Sequence, residues 1–143
     1  MGLRWQDWPP QVLAALRKGV VIPAHPLALD ADRKLDSRRQ RALTRYYLDA
    51  GARGLAVGVH TTQFAIRDVG LYRPVLELAM RSASEWAVEP PIMIAGLSGR
   101  TAQAVNEAEI ARDLGYHAGL LSLAAMKGSS EDELIAHAGT IAR

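Results

Sequence analysis

The sequence predicts an α/β fold in which helices cover a parallel sheet. Four short apolar runs alternate with four longer stretches in which apolar residues recur every three or four positions. Each pair of strand and helix takes about 30 to 35 residues, the length of a right-handed parallel crossover unit. The second run, residues 54–59, carries no charge, which is typical of a strand buried on both faces.

The size and charge of the chain favour one domain that contacts neither nucleic acid nor membrane. It has 143 residues, 49% of them hydrophobic, with 17 basic and 15 acidic residues; a complete eight-unit α/β barrel needs about 200 to 250 residues. The arginines within residues 33–45 have helical spacing and no stacking aromatics, which indicates a solvated helix face. Because the sequence has no cysteine, no secretory apolar region and no stretch near the roughly 20 residues of a membrane span, we expect a cytoplasmic protein.

The first elements are a short helix and an apolar strand. Pro9 and Pro10 suit a first helical turn, and Gly19 suits the end of the helix. Residues 20–29 are expected to form the first strand, with prolines at its end and in the loop beyond. One side of the short helix is expected to carry Trp5, Trp8, Val12, Leu13 and Leu16.

Two amphipathic helices flank the second strand. The first is capped by Asp36 or Ser37 and ends at Gly51. The other spans residues 66–86, and Pro74 must lie in its first turn because proline removes a helical hydrogen bond elsewhere. The apolar stripe of the first of these helices is expected to consist of Ala42, Leu43, Tyr46, Tyr47 and Ala50.

Two further pairs of strand and helix complete the pattern. Residues 92–96 are expected to form the third strand, and Thr101 to cap the helix after it. Residues 119–125 are expected to form the fourth strand, and Ser130 with Glu133 a capping box for the last helix. That helix is expected to turn inward Leu134, Ile135, Ala138, Ile141 and Ala142.

The polar cluster after the second strand is the main candidate site. His60, Thr61, Thr62 and Gln63 directly follow the apolar run, and His25 lies at the end of the first strand. Ligands of parallel α/β folds bind beyond the carboxyl ends of the strands, where these residues are expected to meet. The alternative is that the threonines only cap a turn.

Four motifs relate the chain to a known family. They are Val20-Val-Ile-Pro-Ala-His-Pro, Asp49-Ala-Gly-Ala-Arg-Gly, the Thr-Thr pair after the second strand, and Pro91-Ile-Met-Ile-Ala-Gly with the Thr-Ala-x-Ala helix start that follows. From about Gly19 onward the chain resembles the N-terminal half of the dihydrodipicolinate synthase and N-acetylneuraminate lyase family. The resemblance implies a parallel (βα)4 half of a TIM (β/α)8 barrel over residues 19–143, with an N-terminal helical extension over residues 1–18.

The resemblance also implies a class I aldolase-type lyase or synthase that acts on a 2-oxo acid such as pyruvate without a cofactor. In the family, a lysine on strand six forms a Schiff base with the oxo acid, and a tyrosine after strand four moves protons. A Gly-Thr-Thr-Gly-Glu motif after strand two binds the substrate carboxylate, and residues 59–63 align with it. The expected substrate-binding residues are His60, Thr61, Thr62 and Gln63 of this stretch, together with His25 at the end of the first strand.

The sequence departs from the family pattern in its chemical groups. His60 replaces the first threonine of the motif, and Thr62 takes the glycine position. The tyrosine after strand four is missing from the stretch Leu123-Ala-Ala-Met. Strand six, which carries the lysine in the family, lies beyond the four units. We therefore expect the chain to be inactive alone and to associate with a further half-barrel or with copies of itself.

Other titratable residues favour structural roles. Lys127 lies in a polar turn, whereas a Schiff-base lysine must be desolvated. His25 and His60 could bind a carboxylate, exchange protons near neutral pH or bind a metal, but no third ligand is evident, so we expect no metal. His117 and His137 are expected to be structural.

Three functional hypotheses follow. The first is half of a 2-oxo-acid lyase, and the second is a non-enzymatic small-anion-binding or oligomerisation domain derived from that barrel. The third, a flavodoxin-like sheet that binds a phosphorylated ligand, is disfavoured because no glycine-rich loop follows the first strand.

Overall fold

The computed structural model of the chain describes residues 5–143 apart from the side chain of Trp5, so the predicted position of that tryptophan lies outside the described part. Within this range five α-helices and three strands alternate, and no helix has the length and apolar character to cross a membrane. The helices are α1 (Pro10–Lys18), α2 (Ser37–Asp49), α3 (Tyr72–Trp86), α4 (Thr101–Asp113) and α5 (Glu131–Ile141). The strands are β1 (Gly54–Val57), β2 (Ile92–Leu97) and β3 (Ala118–Leu121).

The three strands form a parallel sheet in the order β1-β2-β3. Gly54 of β1 lies opposite Ile92 of β2, and Ile94 of β2 lies opposite Ala118 of β3. Parallel strands must be joined by crossovers, and α3 and α4 provide them. The predicted α/β class, with its parallel sheet and helical connections, is confirmed.

The predicted first strand is not a regular strand. Residues 21–25, named here the edge segment, run parallel to β1 and share one isolated bridge with it, between Ala24 and Ala56. The N–H of His25 donates to the carbonyl of Ala56 at 2.8 Å, and the N–H of Ala56 donates to the carbonyl of Pro23 at 2.9 Å. Proline has no N–H to add to a ladder, so the prolines of this stretch limit the pairing to a few bonds. The edge segment nevertheless occupies the place of a fourth parallel strand.

The two faces of the sheet differ. Ala56, Ile94 and Leu120 share one face, because Ala56 and Ala118 lie opposite Ile94 and Leu120 is two residues after Ala118 on the same strand. The other face packs against α3 in the main core and carries Leu55, Val57, Met93, Ala95 and Leu97. The first face is the one that lines the interior of a closed barrel.

The N-terminal helix lies at the amino-terminal end of the sheet. Trp8 packs against His117, which directly precedes β3, with ring centroids 6.4 Å apart. Val12 is buried, but Leu16, which was predicted to lie on the same side of the helix, is exposed. Residues of α1 line a groove with Arg53, which precedes β1. The helix therefore covers the bottom of the sheet.

Two of the three predicted N-terminal helix caps are confirmed. Asp36 accepts the N–H of Arg39 at 2.9 Å, and Ser130 and Glu133 form the capping box. Thr101 is not a cap: it is the first residue of α4, and its hydroxyl lies 2.9 Å from Nδ1 of His137 on α5. The sequence predicted that the Thr101 hydroxyl would cap α4, but the hydroxyl contacts a residue of a different helix instead.

The last unit is less covered than predicted. β3 ends at Leu121 rather than at Ala125, because its partner β2 ends at Leu97 and the chain then forms a 3-10 turn. Ile135 of α5 was predicted to face inward but is 70% exposed. Among the described residues no strand follows β3, so one side of β3 and the adjoining face of α5 have no sheet neighbour.

Candidate functional site

The polar turn after β1 lies at the carboxyl edge of the sheet. His60, Thr61 and Thr62 form a 3-10 turn. The buried hydroxyl of Thr62 accepts the N–H of Gly58 at 3.1 Å and donates to the carbonyl of His25 at 2.5 Å. This hydroxyl joins the end of β1 to the end of the edge segment, so the two strand ends meet.

Three side chains of this turn remain accessible. His60 and Gln63 are exposed, and Thr61 is partly exposed. Gln63 has φ 73° and ψ 116°, a conformation that residues other than glycine rarely adopt. Such a residue costs about 1–3 kcal/mol of strain, and strain of this kind concentrates at ligand sites. The accessible imidazole of His60, hydroxyl of Thr61 and amide of Gln63 therefore belong to one short turn at the carboxyl edge of the sheet.

The side chain of His25 is directed toward α2 and away from this accessible turn. It is fully buried, with Nε2 3.0 Å from the hydroxyl of Thr44 and Nδ1 2.8 Å from Nε2 of Gln40. Because the Gln40 amide donates to Nδ1, the ring is neutral and carries its proton on Nε2. Burial lowers the pKa of His25 to about 4. The ring of His25 is therefore not paired with His60 and is closed to a ligand.

These partners of His25 show why the predicted stripe of α2 is wrong in part. Gln40 and Thr44 are the buried residues of α2, whereas Ala42, Tyr46 and Ala50 are exposed. Gln40 also accepts the N–H of Ala28 through Oε1 at 2.7 Å. In the sequence, the spacing of four residues between Gln40 and Thr44 was the available indication of this buried face. The apolar periodicity of α2 predicted a different face.

A buried ion pair, which the sequence did not reveal, lies beside the turn. Arg67 Nε and Nη2 donate to the two oxygens of Glu107 at 2.8 and 2.9 Å, and the two side chains are only 9% and 4% exposed. Arg67 also donates to the carbonyls of Gly58 at 3.1 Å and Gly96 at 3.0 Å. The ring of Tyr72 lies 4.6 Å from the guanidinium carbon. One arginine thus connects the ends of β1 and β2 to α4.

The two glycines at these strand ends allow this arrangement. A Cβ on Gly96 would lie 2.4 Å from the carbonyl oxygen of Gly58, so the two backbones can approach only without a side chain there. Gly58 has φ 79°, the left-handed region that favours glycine. The carbonyl of Gly96 also accepts the Tyr72 hydroxyl at 2.8 Å.

The other titratable candidates lie elsewhere. Lys127 is exposed in the turn after β3. Nδ1 of His117 accepts the N–H of Met93 at 3.1 Å at the amino end of the sheet, and burial lowers its pKa. His137 is buried against Thr101. Within residues 5–143 no three histidine or carboxylate side chains gather as they would around a metal ion.

Comparisons with known proteins identify the fold. No protein-family model matches the chain, and no curated protein matches it significantly in sequence. The crystal structure of dihydrodipicolinate synthase from Bacillus clausii matches it with a TM-score of 0.75 and 15% identity, over 89% of this chain and 43% of that one. The chain has the fold of part of such a barrel.

Further structures agree with this match. N-acetylneuraminate lyase from Fusobacterium nucleatum matches with a TM-score of 0.71 and 21% identity, over 85% of this chain and 41% of that one. Dihydrodipicolinate synthase from Oceanobacillus iheyensis matches with a TM-score of 0.74 and 13% identity, over 84% and 39%. The chain therefore spans about two-fifths of the length of these synthases and lyases, which agrees with the half-barrel that the sequence predicts.

Proposed function

We propose that this chain provides the carboxylate-binding half of an aldolase-type lyase or synthase that acts on a 2-oxo acid such as pyruvate. The observation that carries the proposal is the accessible turn of residues 60–63 at the carboxyl edge of a sheet with the fold of these barrels. The Thr61 hydroxyl and the His60 imidazole are suitable donors for an oxo acid, and such donors hold a carboxylate without a metal.

We assign the covalent step of the proposed reaction to groups that this chain does not supply. The sequence has three lysines, Lys18, Lys34 and Lys127. All three are exposed, whereas a lysine that forms a Schiff base is desolvated so that its amine is neutral. The chain alone is therefore expected to bind the oxo acid without forming a covalent adduct.

Borohydride reduction in the presence of pyruvate tests this assignment. The expected result is no lysine adduct by mass spectrometry; reduction of an imine on Lys127 would contradict it. Binding is measured separately by NMR titration of pyruvate into the wild type, His60→Ala and Thr61→Val. Each substitution is expected to weaken binding about tenfold, and Thr140→Val, on the exposed part of α5, serves as the control. Equal affinities would refute the role of the turn.

The proposed partner is a second half-barrel that pairs with β3 and the edge segment. β3 is an edge strand, and Leu120 on the interior face is 57% exposed. Parallel sheets are normally covered on both faces and open edges invite pairing, so another set of parallel strands fits this surface. Light scattering of the chain and of Leu120→Glu tests it, with the exposed Val88→Glu as control. Association between copies of this chain is refuted if the wild type stays monomeric at high concentration or if both variants behave alike, and a half-barrel on a different chain is then the proposed partner.

The alternative function is a non-enzymatic domain that binds small anions. Exposure of all three lysines is the observation that favours it. It predicts that acetate binds the turn as tightly as pyruvate, because no group would recognise the keto oxygen. A clear preference for pyruvate would count against this alternative.

A further inference from the structure

We infer that Arg67 is a positioning residue for the proposed carboxylate site, because it holds the turn of residues 60–63 against the carboxyl end of β2. The inference rests on the proposed function and assigns a role to a residue that touches no substrate in it. Arg67 lies in the 3-10 turn of residues Phe64–Arg67, directly after the candidate site.

The first step of the argument is the direction of the hydrogen bonds of Arg67. Nη1 donates to the carbonyl of Gly58, two residues before His60, and Nη2 donates to the carbonyl of Gly96, the penultimate residue of β2. A planar guanidinium with donors in a fixed fork sets the separation of both carbonyls at once. The start of the turn is thereby tied to β2.

The second step is the fixed position of the guanidinium itself. Glu107 binds it through both oxygens and also accepts the N–H of Ser98 at 2.9 Å and Nε2 of Gln103 at 2.9 Å. Ser98 directly follows β2, so the same carboxylate ties the loop after β2 to α4. A buried polar network whose members are hydrogen-bonded in this way is a rigid support.

The third step is the position of the accessible groups between two anchors. The Thr62 hydroxyl ties the turn to His25 and Gly58, and Arg67 ties Gly58 to Gly96 of β2. His60 and Thr61 lie between these anchors, and both side chains are accessible to a ligand. Binding sites lose affinity steeply when supporting residues allow displacements of about 1 Å.

The test compares Arg67→Lys with the same substitution at the opposite end of the sheet. The introduced lysine would keep a positive partner for Glu107, but one ammonium group cannot reach the carboxylate and both carbonyls in a fork. Arg53 precedes β1 and pairs with Glu89 at the amino end, so Arg53→Lys is the matched control. Pyruvate affinity and amide hydrogen exchange are measured at the same interval below each variant's own melting temperature.

The expected result is about a tenfold rise in the pyruvate Kd and faster exchange at residues 60–63 in Arg67→Lys alone. A merely structural role would change the melting temperature and leave both readouts unchanged at matched stability. Equal Kd values and equal exchange in the two variants would overturn the inference. Should the wild type fail to bind pyruvate, the proposed function fails, and the exchange arm still decides the role of Arg67: faster exchange confined to the turn supports it, and unchanged exchange refutes it.

Discussion

Removal of one partner of the Arg67–Glu107 pair should destabilise the fold strongly, and removal of both should cost less than the sum. In Glu107→Met the guanidinium stays buried without its anion, and the donors on Ser98 and Gln103 lose their acceptor. Breaking one side of a buried ion pair costs about 3–5 kcal/mol. For a chain of this size that is a fall of about 10 to 15 °C in melting temperature.

The double variant Arg67→Met/Glu107→Met leaves no buried charge at this position. It loses the partners of the Gly58 carbonyl and the Ser98 N–H, whereas Gly96 keeps the Tyr72 hydroxyl. Its expected cost is about 2–6 kcal/mol, since each of these two buried groups costs about 1–3 kcal/mol without a partner. The middle of these ranges gives a coupling of about 4 kcal/mol between the two single substitutions.

Urea unfolding followed by circular dichroism measures all four corners of this cycle. The exposed pair Arg112–Asp113 provides a control, since Arg112→Met should change the free energy of unfolding by less than about 1 kcal/mol. The reasoning is refuted if Glu107→Met costs no more than Arg112→Met, or if the costs of the two single substitutions simply add in the double variant.

Three further predictions concern single sites. The pKa of His25 is about 4 in the folded chain and about 6.5 in the unfolded chain, so the contribution of this group to stability is complete above pH 6.5 and is lost as the pH falls toward 4. Urea titrations should therefore show about 3 kcal/mol less stability at pH 4 than at pH 7 from this group. His25→Gln should flatten the dependence of the free energy of unfolding on pH. Gly96→Ala should lower the free energy of unfolding by about 1–3 kcal/mol because its Cβ would overlap the backbone of Gly58. Gly139→Ala should raise it by about 0.5–1 kcal/mol, since an added Cβ there would meet nothing within 4 Å beyond the adjacent residues and backbone of α5 itself. Thermal denaturation measures both, and a stabilised Gly96→Ala or a destabilised Gly139→Ala would contradict this packing. Gln63→Gly should raise the melting temperature by relieving the positive φ while it weakens pyruvate binding, and a variant that is less stable than the wild type would show that φ is not strained.

The sequence determined the elements whose cause is local. Helix starts at Asp36 and Ser130 follow from side chains that reach the backbone three residues on, and such bonds are formed within one turn. β1 could be recognised because an uncharged apolar run between two helical patterns is typical of a buried parallel strand. The resemblance in four short motifs, supported by the fold comparisons, pointed to the same half-barrel.

The tertiary structure alone decided which polar groups are buried in the core and which are accessible at the carboxyl edge of the sheet. Neighbours along the chain cannot show that Arg67 meets Glu107, or that the His25 ring turns to α2 while its carbonyl meets Thr62, because these partners are 19 to 40 residues apart. Burial of a charge or an imidazole is favourable only when its distant partner is in place. The same reason explains Ile135: its helical face was readable from the sequence, but its exposure depends on which strand lies beside it.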